Sequence, residues 1–257
     1  SHTADARRHL DNRGYVGPLT RGVNPATLFE KPVVDRIIES YYWKEQCFGL
    51  NEASLCDRAV ELTSVGGVYG GGSLGKASPF LCLAFKLLTL APDRAVVEAY
   101  LNWGAEDGDY EDEDEEAAMD EDGGAGPREK NARRGRGADR EPDPHEPPRR
   151  AGAFKYVRAL AAFYVRVAWD AVDVYRTLEP LLGDWRKLRR RTRAGFVLTT
   201  VDQFVDDLLT KERVCATTLW KLPQRSLLED LDLLEPRVSP LGEELEALDA
   251  DLEGGEG

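Results

Sequence analysis

Histidine is almost missing from this 257-residue sequence: His2, His9 and His145 are the only three, and none falls in a credible core. Catalysis by a Ser-His or Cys-His pair therefore lacks its base, and zinc sites of mixed Cys and His ligands lack an essential donor. Cysteine is scarce too. Cys47, Cys56, Cys82 and Cys215 form no C-x-x-C pair and no dense framework. A disulfide-stapled mini-protein is excluded, and the four read as small buried apolar residues of a reducing intracellular compartment. No apolar run approaches the about eighteen uncharged residues a membrane-spanning helix needs, and the N-terminus lacks the basic-then-apolar pattern of a signal peptide. The first residue is Ser1 rather than Met, as expected of a processed or cut chain with natural ends elsewhere. With these groups missing, the chain is expected to be no enzyme and to hold no cofactor or metal.

What the sequence has in excess is acid, unevenly placed. Thirty-four basic and forty-seven acidic side chains give a net charge of −13. Residues 104–151 contribute −9 of this and residues 242–257 contribute −7, so the other 193 residues carry +3. Those 193 suffice for one domain with a sizeable core. The stretch 104–151 is an acidic block followed by a basic one, with too few apolar groups to offset the entropy of ordering it. It reads as a disordered insert, and 242–257 as an acidic tail.

The periodicity predicts one mainly helical, all-α domain formed by 24–103 and 152–241, preceded by an extended arm over 1–23. Asn24-Pro25 is an N-cap followed by proline in the first turn. A second helix starts near Pro32, with Val34, Ile37, Ile38 and Tyr41 on one core face. Asn51 caps a third helix carrying Leu55, Ala59 and Leu62. Ser78-Pro79 opens a fourth, apolar nearly all round, and Pro92 a fifth reaching Trp103. After the insert, Phe154 begins a helix whose polar stripe is thin (Lys155, Arg158, Ala162, Arg166), which places it at the centre of the fold. Asp170 caps the next, which ends at Gly183. Around Ala194-Gly195 the pattern changes to a small β-hairpin spanning 186–200. Thr200 with Gln203 matches a capping box for a helix burying Val201, Phe204, Val205 and Leu208. Short helices are expected over 216–221 and 223–234.

Few motifs invite chemistry. Gly70, Gly75 and Lys76 reproduce the first part of a phosphate-binding loop, but Ala77 stands where a magnesium-binding hydroxyl belongs, the preceding segment 56–63 reads as helix, and no parallel-sheet pattern is seen. Asp202, Asp206 and Asp207 read as a solvated helix face. In VGGVYGG, Val65–Gly71, helix termination accounts for one or two glycines and not four; Gly66, Gly67, Gly70 and Gly71 around an exposed-looking Tyr69 suit a backbone that approaches another closely. Trp43, if the second helix runs through it, projects about 180° from Val34; it is either a partner anchor or buried by a second packing surface, and spacing does not separate the two. The basic run Arg186, Lys187, Arg189, Arg190, Arg191 and Arg193 has the charge to meet RNA phosphates. Only Trp185 and Phe196 flank it for base stacking, so a solvated hairpin edge is the stronger reading.

Seven ordered segments, YWKEQCFGL (Tyr42–Leu50), VGGVYGG (Val65–Gly71), PFLCL (Pro79–Leu83), FKYVRAL (Phe154–Leu160), YRTLEPLL (Tyr175–Leu182), ERVC (Glu212–Cys215) and LEPRVS (Leu234–Ser239), resemble the conserved domain of the pre-mRNA-splicing factor 38 family. Two departures are the 104–151 insert and the lack of an arginine/serine-rich tail. The resemblance implies a helical, non-enzymatic nuclear component of the spliceosome, associated with the U4/U6·U5 tri-snRNP and needed for spliceosome activation. It implies as partners a microfibrillar-associated protein 1-like protein and a zinc-finger tri-snRNP protein. A protein-binding scaffold using Tyr42, Trp43, Phe48 and the glycine loop is one reading, and an RNA-contacting module using Arg186–Arg193 the other; the near-neutral core favours the first.

Overall fold

A computed structural model describes residues 15–71, 75–103 and 154–237. The three histidines, the 104–151 insert and the 242–257 tail lie outside the described residues. The fold is mainly helical but not all-α: it carries three small sheets among the described residues. After a 3-10 turn (Pro25–Leu28) come α1 (Lys31–Glu39), a π-helical turn (Trp43–Cys47) and α2 (Glu52–Val60). Strands β1 (Val65–Gly66), β2 (Val68–Tyr69) and β3 (Lys76–Ala77) lead into α3 (Pro79–Leu90) and α4 (Arg94–Asn102). The second half holds α5 (Lys155–Ala168), α6 (Ala171–Leu178), β4 (Lys187–Arg191), β5 (Phe196–Thr200), α7 (Val201–Thr210), β6 (Arg213–Val214), β7 (Thr217–Thr218) and α8 (Arg225–Asp230).

Three of the expected caps form, whereas Asp170 makes no side-chain cap on α6. Asn24 Oδ1 accepts from Ala26 N at 3.0 Å, Asn51 and Ser54 form a reciprocal capping box on α2, and Ser78 Oγ accepts from Leu81 N at 3.1 Å to start α3. The expected Thr200–Gln203 box does not form: Thr200 makes no side-chain cap, and Gln203 leans along α7 toward Asp207.

α5 is the axle. All of its fourteen residues are buried, including the stripe that reads as polar. Burying a guanidinium is tolerable only when its donors find acceptors, and here backbone carbonyls and Asp184 take most of them, Arg166 Nη1 being the exception. Arg158 Nε donates to Leu101 O at 2.7 Å and Nη1 pairs with Asp184 at 2.6 Å. Arg166 donates to Leu208 O and Trp220 O; burial lowers its pKa to about 10. Around α5 packs an aromatic chain in which Phe29, Phe80 and Phe163 meet with centroids 5.9 to 6.1 Å apart, and Phe80 reaches Phe204 on α7 at 6.1 Å.

Three expectations are corrected. Residues 216–221 are not helical: Cys215 and Ala216, both at positive φ, form the two-residue turn of the β6–β7 hairpin, because that turn type needs left-handed backbone at both positions. A parallel pair does exist, β1 with β4, with Val65 opposite Arg190 and Gly66 opposite Arg191. The arm is not extended as far as residue 23, since Thr20 and Val23 bridge across a turn at Arg21 and Gly22 and the Arg21 guanidinium lies 3.6 Å over the Trp220 ring.

The ends of the insert are held together: Trp103, just after α4, stacks on Phe154, just before α5, at 5.5 Å. A short connection can therefore replace the long one, since loop entropy grows slowly with length. Replacing Glu106–Arg149 with a short Gly/Ser linker is expected to leave the melting temperature within a few degrees. A large drop in a thermal melt would show that the insert packs on the domain.

Candidate functional site

Both patches singled out in the sequence are fastened to α3, at different levels. The glycine loop is held at the N-terminus of α3: Ser78 Oγ donates to Gly66 O at 2.6 Å and Ser78 N to Gly67 O at 2.9 Å. The Tyr42–Phe48 segment is held further along, where Lys86 Nζ donates to Phe48 O at 2.8 Å; burial lowers the pKa of that lysine. Eight helical residues separate the two anchors, about 12 Å at 1.5 Å per residue. The structure therefore does not merge them into one site.

Trp43 does not project outward. α1 ends at Glu39, Ser40 turns extended, and the chain restarts as a π-helical turn with Ser40 Oγ accepting from Trp43 N at 3.1 Å. The break resets the helical register. Trp43 is 7% exposed, with its ring 5.3 Å from Phe85, and Tyr41, expected in the core, is 78% exposed. Tyr42 and Phe48 are half-buried against the same core.

The loop carries out the expected close approach. β1 joins the sheet through β4, and β2 pairs with β3, Val68 opposite Ala77 and Tyr69 opposite Lys76. Gly67 packs against the Cys215–Ala216 turn, where an added Cβ would stand 2.6 Å from Ala216 N and nearer still to the Cys215 carbonyl. Burial pushes the Cys215 thiol up to about 12, leaving it an inert packing group. Gly70 takes φ +89° and, like Gly71, has open space where a Cβ would be. Tyr69 is half-buried, with the Arg191 guanidinium 4.4 Å over its ring.

The basic run is no solvated edge. β4 is the central strand of the order β1-β4-β5, and strand alternation sorts its side chains. Leu188 and Arg190 face α7: Leu188 is fully buried, and Arg190 Nη1 pairs with Asp207 at 2.5 Å. Arg189 and Arg191 take the other face, each 4.3 Å from the Phe196 ring. Phe196 thus does interleave with the run, because it sits opposite Arg191 in the register. Arg186 grips Asp184, which Arg158 also holds. Lys187 and Arg193 are the exposed members.

Asp207, expected on a solvated face, is 1% exposed and ion-paired with Arg190 and with Lys211 at 2.6 Å. Burial alone would push its carboxyl up; hydrogen bonds and charge from Lys211 and Arg190 outweigh that and hold it below the usual range. Asp184 is lowered in the same way by Arg186 and Arg158. A depressed carboxylate contributes stability above its unfolded pKa of about 3.9 and loses it as pH falls through the folded value. Asp207→Asn is expected to cost about 1–3 kcal/mol at pH 7, mostly by leaving Arg190 unpaired. The gap to wild type should narrow well below pH 4, as denaturant titrations at pH 7 and pH 3 would read. A gap independent of pH would show that the carboxylate charge is not what stabilises.

The phosphate-loop reading fails on context: β3 rather than a helix follows Gly75. Among the described residues no group of three His, Cys, Asp or Glu could hold a metal ion. Sequence reasoning missed Arg36 and Arg213, which share a cleft of about 430 Å³ with Gly70, Gly75 and Arg193; they come from distant segments and carry no local signal.

The PRP38 family model matches residues 19–232. Pre-mRNA-splicing factor 38 of Schizosaccharomyces pombe is 41% identical over 223 residues, 87% of this chain and 82% of that protein. Human pre-mRNA-splicing factor 38A is 37% identical over 89% of this chain, which spans only 58% of that longer protein. A chain in the crystal structure of the Snu23-Prp38-MFAP1(217-258) complex of Chaetomium thermophilum superposes with a TM-score of 0.68 at 46% identity, covering 93% of this chain and all of that one. The buried contacts described above and these matches over the same span lead to one conclusion: the chain belongs to the PRP38 family.

Proposed function

We propose that the chain is a non-enzymatic protein-binding scaffold of the spliceosome, acting in pre-mRNA splicing in the nucleus as part of the U4/U6·U5 tri-snRNP and needed for spliceosome activation. Its partners are a counterpart of MFAP1 and a zinc-finger tri-snRNP protein. The observation that carries this reading is the shared fold, at 46% identity over 93% of the chain, with a protein solved in complex with Snu23 and an MFAP1 segment. A rigid helical core with short hairpins on its surface is suited to holding partner segments, and Tyr42, Phe48, Tyr69, Gly70 and Gly71 remain the candidate contacts, while Gly66 and Gly67 are buried against Arg191 and the Cys215–Ala216 turn. Trp43 supports that surface from inside.

The RNA alternative is weakened by how the arginines are spent. Arg186 and Arg190 are neutralised by Asp184 and Asp207, and of the two flanking rings Phe196 is taken by Arg189 and Arg191, which leaves Trp185, 78% exposed, as the single ring open to a base. Stacking and free charge are both needed for strong single-strand binding. Capture of spliceosomal proteins from nuclear extract tests the choice: they should remain bound after nuclease treatment. If nuclease releases them, and Lys187→Gln, Arg189→Gln and Arg191→Gln together abolish capture, the RNA module is the right reading. Arg190 is left intact in that variant because removing it would strand Asp207.

A further inference from the structure

The cleft of about 430 Å³ lies where α1, the β2–β3 hairpin, the turn after β4 and the β6–β7 hairpin meet. Three arginines line it: Arg36, Arg193 and Arg213. None of the residues lining it is acidic. Two of the arginines, Arg36 and Arg193, have charge to spare. Arg193 has no hydrogen-bond or ion-pair partner among the described residues, and Arg36 donates only to Pro32 O, on its own helix. Arg213 is already engaged: it pairs with Glu30 at 3.0 Å and donates to Thr218 Oγ1 and Ala216 O. Val33 and Val68 supply an apolar wall, and at Gly70 the surface is open, so a second backbone can lie close.

We propose that this cleft takes an acidic, extended segment of a protein partner, its carboxylates on Arg36 and Arg193, with Arg213 held beside them by Glu30, and one apolar side chain against Val33 and Val68. The inference rests on the scaffold reading and names the chemistry of one contact. Guanidinium groups from two separate elements, α1 and the turn after β4, present paired N–H donors that match carboxylates. Protein is favoured over RNA because no aromatic ring lines the cleft to stack a base, and the nearby Tyr69 ring is covered by Arg191.

The test uses the full chain and a fluorescein-labelled peptide of repeated Glu-Glu-Leu, with its Lys-Lys-Leu counterpart and a labelled oligouridine as comparison probes. The acidic peptide is expected to bind, to weaken between about 50 and 200 mM salt, and to lose about tenfold or more in affinity with Arg36→Gln and Arg193→Gln together. Backbone amide shifts should centre on Val68, Gly70 and Gly75. Arg193→Gln alone, at a side chain with no internal partner, should lose a smaller share and covers the case in which the double variant folds poorly. Acidic-peptide affinity unchanged in both variants would overturn the proposal, as would tighter oligouridine binding through the same arginines. Binding that appears only after removal of residues 242–257 would also overturn it, by making the chain's own acidic tail the occupant. Nuclear-extract capture by the same variants separates the two readings: partner proteins held without any acidic-peptide binding would sink the cleft and leave the scaffold standing.

Discussion

Gly67→Ala is expected to destabilise the fold by about 3 kcal/mol or more, at the upper end of overpacking costs. The added methyl would press on backbone atoms of Cys215 and Ala216, under 3.0 Å away, and these cannot rotate aside as a side chain can. Both residues already sit at positive φ in a tight turn, so relief would have to come from displacing the β6–β7 hairpin or the β1 strand. A loss of this size lowers the melting temperature of a domain this large by roughly 6–12 °C. Gly70→Ala meets no neighbour, and its cost of about 1 kcal/mol comes from φ +89° alone. Gly75→Ala should fall between the two, since its methyl would meet a Val68 methyl at 2.5 Å, which only a stiff χ1 rotation can move, and the Tyr69 carbonyl oxygen at 3.3 Å. Thermal melts of the three variants give the order; equal tolerance at all three would mean that the loop does not approach the hairpin as described.

Trp43→Ala is expected to cost about 3–5 kcal/mol of stability, the range for truncating a large buried aromatic. The residue is 7% exposed, its ring lies against Phe85, and Phe85 in turn meets Phe29 at 5.6 Å, so the cavity would open inside the aromatic chain that seats α3 on the rest. Because neighbouring rings constrain one another, the site cannot collapse easily. Denaturant unfolding measured beside affinity per folded molecule separates the core role from a direct contact. An unchanged unfolding midpoint with lost partner binding would return Trp43 to the surface.

Much of the helical frame could be read in the sequence because its signals are local. Asn51 with Ser54, and Ser78 before Pro79, announce caps within three residues of themselves, and the near-continuous apolar character of 155–168 marks the central helix by composition alone. Spacing leaves Trp43 open between anchor and core because a helix wheel assumes unbroken register, and nothing local announces that Ser40 interrupts it and turns the ring inward. Cys215-Ala216 lacked the Gly or Asn that usually marks a left-handed turn, so its hairpin read as helix. The basic strand failed for a different reason: the partners that neutralise it, Asp184 and Asp207, and the strand β1 that makes it central lie elsewhere in the sequence. Asp207 reads as solvent-facing for the same cause, since charged side chains are rarely buried without a partner and its partner Arg190 lies seventeen residues away. Only the fold brings Arg36, Arg193 and Arg213 to one cleft; in the sequence they share no spacing at all.

Calorimetric titration of the full chain with the 217–258 segment of Chaetomium thermophilum MFAP1, in nuclease-treated buffer at physiological salt, tests the scaffold most directly. The expected result is one-to-one binding at about 1 μM or tighter, unchanged when Lys187, Arg189 and Arg191 are replaced by Gln. No measurable binding of that segment, together with submicromolar RNA affinity at the same salt that those three substitutions abolish, would contradict it.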